Sequence, residues 1–178
     1  MAKRWTQIEF KEARFTKPND TFGGSLLKGN AKTKRPMATK LPVHLTLRAE
    51  QSVLRLPRTM GPVNQIIERT SHKYGVIVYK SANVGNHLHL VIKLSNLQLW
   101  APFIRELTGR IAQVVMGLLK STMRFWRYKP HTRIVRGWQK AFRSILEYVE
   151  LNRLEAEGFI SRAEIKSLKQ LRLIWSDA

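Results

Sequence analysis

The chain has 178 residues, with 32 Lys plus Arg against 12 Asp plus Glu, no cysteine and a formal charge of +20. That length suits one domain with an appended arm, and 43% hydrophobic residues are enough to bury a core. Without cysteine, disulfides, thiolate zinc sites, iron–sulfur clusters and Cys nucleophiles are excluded. Apolar runs such as Ile111 to Leu119 fall well short of the ~20 residues that span a bilayer, so the expectation is a soluble, cytoplasmic, nucleoid-associated protein with no membrane partner. A positive surplus of this size makes nucleic acid the default partner, with an anionic membrane surface the weaker competitor. Its distribution is one-sided: from Arg69 to Leu146 the only acidic residue is Glu106. Aspartate occurs only at Asp20 and Asp177, so a site built from clustered carboxylates holding two metals has no material here.

Residues 1–40 read as a basic, extended arm. Gly23-Gly24-Ser25, Gly29-Asn30, Arg35-Pro36 and Leu41-Pro42 interrupt any helical or strand period. Val43 to Arg48 alternates with period two and reads as a strand. Gly61-Pro62 opens a helical spacing of Val63, Ile66, Ile67 and Tyr74 that ends at Gly75. Val76 to Tyr79 is a second strand, Asn83 to Asn86 a turn, and His87 to Leu94 a third strand in hairpin with the second. A helix follows from about Leu99 to Leu119, then a short basic strand from Thr132 to Arg136. Trp138 to about Leu154 is helical, Gly158 stops it, and Ser161 caps a last helix carrying Ile165, Leu168, Leu171 and Trp175. The order strand, helix, strand, strand, helix, strand implies an α+β, ferredoxin-like split β-α-β fold. In that layout an antiparallel sheet carries helices on one face, with extra C-terminal helices, and its other face stays open for a ligand. Residues 41–155 make the domain and 156–178 a helical extension.

On the third strand, Leu88, Leu90, Ile92 and Leu94 form one apolar row facing the core, so His87, His89, Val91 and Lys93 share the opposite side. The Cβ atoms of two histidines at this spacing lie ~7 Å apart, within reach of one divalent ion. Two surface histidines alternating with leucines would read the same way. His44, in a row with Thr46 and Arg48, neighbours this place but receives no ligand role, and neither do His72 and His131. On the penultimate helix, Phe142, Ile145, Leu146 and Val149 form the buried stripe. Tyr148 and Asn152, four apart, are neighbours at its edge, where a phenol is ordinarily a packing residue with a wet hydroxyl.

Taken in order, these residues resemble the single-tyrosine transposases of the HUH (His-hydrophobic-His) nuclease superfamily. The similar group is the IS200-like one, which includes the transposases associated with repetitive extragenic palindromes. Asn86-His87-Leu88-His89-Leu90 is similar to that family's two-histidine strand, and His44 to Arg48 to its first strand. Glu147-Tyr148-Val149-Glu150-Leu151-Asn152 is similar to its catalytic helix. The usual proline after the amide is replaced by Arg153. The resemblance implies Tyr148 as nucleophile and His87, His89 and Asn152 as ligands of Mg²⁺ or Mn²⁺. It further implies single-stranded DNA with hairpin or palindromic ends as substrate, and a homodimer as one arrangement the family uses. Arg124, Arg127, Lys129, Arg133, Arg136, Lys140 and Arg143 would grip the DNA, with Trp126, Tyr128 and Trp138 able to stack on bases or to pack in the core. The competing reading is a non-catalytic RNA- or DNA-binding module of the same layout, ribosome-associated in type, whose binding ignores divalent ions.

Overall fold

A computed structural model describes residues 20–27, 34–137, 139–161 and 163–164. The elements are β1 (Thr21–Phe22), β2 (Val43–Arg48), α1 (Pro57–Lys73), β3 (Ile77–Asn83), β4 (His87–Lys93), α2 (Trp100–Leu119), β5 (His131–Ile134) and α3 (Lys140–Glu157). They build a five-stranded sheet in the order β1-β5-β2-β4-β3, with every pairing antiparallel. Four of its strands, β5-β2-β4-β3, joined through α1 and α2, are the split β-α-β arrangement, so the α+β fold is as expected.

The alternation in β2 and β4 sets the layers. Val43, Leu45 and Leu47 point with Leu88, Leu90 and Ile92 to one side, where Val63 and Ile67 of α1 and Phe103, Leu107, Ile111 and Val115 of α2 close the main core. Their apolar spacing of three and four residues gives each helix one buried stripe. α1 begins at Pro57, one turn before the expected Gly61-Pro62. Leu56 is extended, Pro57 occupies the first turn, where its missing N–H costs nothing, and Thr59 Oγ1 donates to Val53 O at 2.6 Å. Pro62 therefore lies inside the helix. β3 runs to Asn83, past the expected Tyr79, and the turn to β4 is completed by Gly85 at φ +90°, where a Cβ would meet Ser52 Oγ at 2.4 Å.

The face expected to be open is covered. α3 packs across β3 and β4, burying Ala141, Ile145, Tyr148 and Val149 against Ala82, Val91 and Val135 in a second, smaller core. The helix runs through Arg153, which pairs with Glu150 and Glu157, and ends at Gly158 with φ +80°. Part of the expected arm is also docked. Thr21 and Phe22 pair with Arg133 and Thr132 as the edge strand. Asp20, buried, holds Arg136 at 2.7 Å, and Arg35 donates to Thr132 Oγ1 at 2.7 Å. Residues 1–19 and 28–33 of the arm, Trp138, and Ile165, Leu168, Leu171 and Trp175 of the expected last helix lie outside the described residues. At that helix's start Glu164 N donates to Ser161 Oγ at 3.2 Å, as a capping serine should receive it. Among the described residues no helix is long and apolar enough to cross a membrane.

Candidate active site

β2 and β4 pair so that Thr46 stands opposite His89 and Arg48 opposite His87. β5 brings His131 opposite Thr46 on the other side. The polar row of each strand thus converges on one patch beneath α3. His87 and His89 stand with nearly parallel rings, centroids 6.0 Å apart, and are only 5% and 2% exposed. The Nδ1–H of His87 donates to Asn86 Oδ1 at 2.7 Å, which leaves Nε2 as the lone-pair nitrogen. That Nε2 is buried and has no hydrogen-bond partner among the described residues. A buried imidazole nitrogen with nothing to accept from is costly unless a ligand takes its lone pair.

His89 is tied from its other side: its Nδ1 lies 3.2 Å from His44 Nε2, and Thr46 Oγ1 is 3.4 Å away. His44, left without a role by the sequence, stacks on His89 with centroids 5.4 Å apart and so belongs to the site. Its period-two row with Thr46 and Arg48 was the available signal, and only strand register makes it decisive. Burial keeps these rings neutral. It pushes His87 down to about 4, helped by the charges of Arg48 and Arg127, and His89 down to about 3, helped by His87 and His131. His44 is held well below the ordinary histidine range, mainly by burial. Neutral imidazoles are the form that ligates a cation.

α3 delivers the phenol. The Tyr148 ring meets His89 edge-on with centroids 5.8 Å apart, and meets His44 at 5.9 Å in the same manner. Asn152, one turn on, donates from Nδ2 to Tyr148 O at 2.6 Å, which fixes the amide and turns its Oδ1 to the remaining acceptor role. A cavity of about 550 Å³ opens beside this cluster. It is lined by His87, His89 and Asn152 together with Arg55 and Glu155, while Tyr148, 4% exposed, lies next to His89 but outside the lining. The four residues singled out in the sequence are therefore together. No group of three or more His, Asp or Glu side chains placed to hold a metal exists among the described residues, so a third protein ligand beside the two imidazoles would be an amide such as Asn152. The orphaned Nε2 of His87, the fixed amide and the neutral rings fit a divalent cation.

The basic candidates fare differently. Arg124, Arg127, Lys129, Lys140 and Arg143 are exposed and Arg133 half-buried. Arg136, also exposed, is engaged by Asp20. Trp126, half-buried, packs against the core: its Nε1 donates to Thr108 O at 3.0 Å and its ring meets Phe125 edge-on. The guanidinium groups of Arg48 and Arg127 both stand over the ring of Tyr128, at 5.9 and 5.4 Å from its centroid.

No protein-family model and no curated protein matches the sequence. Among solved structures, the chain is similar to a REP-associated tyrosine transposase bound to a REP hairpin. The two share a TM-score of 0.56 and 13% identity over 74% of this chain and 76% of the other. A protein of Deinococcus radiodurans R1, provisionally described as a transposase, aligns with a TM-score of 0.45 and 16% identity over 69% of this chain and 98% of its own. The likeness to the first of these is one of fold. The chain's α+β sheet and helices follow the layout of the tyrosine transposase in that first neighbour.

Proposed function

We propose that the chain cleaves and rejoins single-stranded DNA, with Tyr148 as nucleophile and a 5′-phosphotyrosine as the covalent intermediate. The observation that carries the reading is the adjacency of Tyr148 to His89, beside a His87 whose buried Nε2 lacks a partner. His87, His89 and Asn152 would hold Mg²⁺ or Mn²⁺. Once bound, such an ion supplies charge neutralisation at the scissile phosphate.

The chain's own residues do the rest. The phenol of Tyr148 gives up its proton to solvent as its oxygen attacks phosphorus, the O–P bond to the 3′ oxygen breaks, and that oxygen takes up one proton to leave as a free 3′-hydroxyl, so no net proton is gained or lost. A free phenol has a reference pKa near 10, so attack at neutral pH depends on positive charge nearby. Because Tyr148 is buried beside the cavity, DNA has to turn the phenol toward the phosphate when it enters. The new ester retains the energy of the old one, so an incoming 3′-hydroxyl can reverse the step and join strands without ATP. The hairpin bound by the structural neighbour makes a hairpin-ended strand the first substrate to try. If ~6 phosphates are neutralised, the log–log salt slope for single strands will be about −4.

The test is a labelled single-stranded oligonucleotide carrying the sequences that flank the gene, incubated with Mg²⁺ or Mn²⁺ and run on a denaturing gel. The expected result is a covalent protein–DNA band that vanishes in Tyr148→Phe. An undiminished band in that variant removes Tyr148 from the nucleophile role. Tight binding indifferent to divalent ions, with no adduct from any strand, returns the chain to the non-catalytic binding module.

A further inference from the structure

The edge of the site beyond His87 carries two arginines that the fold places against each other. Past the end of β2, Ala49 bridges Trp126 antiparallel, and Arg127 N donates to Arg48 O at 2.8 Å. Arg48 therefore stands between His87 on one neighbouring segment and Arg127 on the other. Like charges directly opposite on paired strands are destabilising. Among the described residues neither arginine has an ion-pair partner to relieve them. Arg48 is half-buried, and its Nε is sequestered from solvent with no hydrogen-bond partner. Both guanidinium groups stand against the ring of Tyr128, which holds them in one place.

A partly desolvated guanidinium without an ion-pair partner among the described residues, on a residue directly opposite a second arginine, is a local conflict of the kind that persists where a ligand resolves it. A group that satisfies two planar donor forks at once is a tetrahedral anion with several exposed oxygens. We propose that Arg48 and Arg127, braced by Tyr128, form a clamp for a single DNA phosphodiester at the His87 edge of the site. The clamp deepens the reading above, since the phosphodiester belongs to the strand assigned there. Its own residue, Arg48, lies outside the basic stretch that begins at Arg124, which is why charge distribution along the chain passed over it. The role is one of binding and register: it fixes where the strand lies relative to His87 and Tyr148.

The test uses the dinucleotide d(TpT), which carries one phosphodiester, titrated without metal into ¹⁵N-labelled protein while arginine Nε–H signals are followed. The Arg48 and Arg127 signals are expected to shift and saturate, while Arg69, solvent-facing on α1, drifts without saturating. An Arg48 signal that stays fixed while solvent-facing arginines move overturns the clamp. In parallel, a fluorescent dT₂₀ strand is bound at matched salt. Arg48→Gln should weaken binding about tenfold, the loss of one charge-assisted contact. Arg48→Lys should recover only part of this, because it keeps the charge and loses the fork. Arg69→Gln should cost less than about twofold. Equal losses in the Gln variants at 48 and 69 reduce Arg48 to a bulk surface charge and overturn the proposal. Should Arg48→Gln fail to fold, Arg48→Lys and the dinucleotide titration decide. Mn²⁺ binding by electron paramagnetic resonance separates the two readings: its absence from the wild type sinks the metal site, while the metal-free d(TpT) result judges the clamp alone.

Discussion

The two faces of the central strands are built from alternate residues of the same few segments, yet they differ in kind. On one face Leu45, Leu47, Leu88, Leu90 and Ile92 fill a continuous apolar layer beneath α1 and α2. On the other, His44, Thr46, His87 and His89 occupy equivalent depths beneath α3, nearly as buried and far less satisfied. A single step in strand register separates stability from chemistry. The apolar face tolerates no polar atom, whereas the histidine face keeps a buried nitrogen without a partner, a conflict typical of a functional site.

Exchanging the effects of the two faces is the strongest way to break the comparison. His87→Ala should reduce adduct formation at least 100-fold while leaving the unfolding free energy from urea denaturation within ~1 kcal/mol of wild type, because it removes a group whose Nε2 was never satisfied. Leu90→Ala, three residues along the same strand and facing the other way, should cost ~2–5 kcal/mol through lost burial and the cavity it leaves, with Mn²⁺ affinity preserved wherever the protein remains folded. Urea denaturation and Mn²⁺ titration on both variants would show whether the faces are separable. A His87→Ala protein as damaged as Leu90→Ala would mean that the histidine row is simply core.

A smaller effect sharpens the assignment of the ligand set. A cation that binds only the folded chain raises stability by RT ln(1 + [L]/Kd), ~2.7 kcal/mol at 100 times Kd. Mn²⁺ should raise the melting temperature of the wild type, less so for Asn152→Ala and not at all for His87→Ala. Equal stabilisation of all three would move the ion elsewhere.

Much of this was legible before the structure, and its gaps have one origin. The alternation of Leu88, Leu90 and Ile92 with His87 and His89 declares both faces, and the four-residue step from Tyr148 to Asn152 puts phenol and amide on one side of a helix. Where α3 docks is not written in its own period. An amphipathic stripe says that a surface is buried and not against what, so the helix covering the expected open face was invisible. Thr21 and Phe22 are too few for any pattern, and hold as an edge strand through partners more than 100 residues away, such as Arg136 to Asp20. His44 and Arg48 are site residues only through register with β4 and the segment after residue 124. What the sequence conceals is consistently what distant pairing decides.

The smallest effect concerns how α3 is fastened over the histidine face. Glu150, on the rim of α3, reaches Lys80 of β3 at 2.8 Å and also takes Arg153. Its hydrogen bonds to Arg153 and Lys80 hold its carboxyl down to about 2, well below the ordinary 4.5. A folded-state value below the unfolded one means that the unfolded chain binds more protons between those limits. The stabilisation is therefore complete above about pH 4.5 and lost as the pH falls toward 2. Solvent screening at this rim limits the contribution to ~1 kcal/mol or less. Glu150→Gln should lower stability by that amount at pH 7 and by nothing near pH 2, while hydrogen exchange at Tyr148 and Val149 rises at pH 7. If α3 amides in the variant exchange as slowly as in the wild type, the tether is ornamental, and apolar packing of Ile145 and Val149 on Val91 alone keeps the phenol beside the imidazoles.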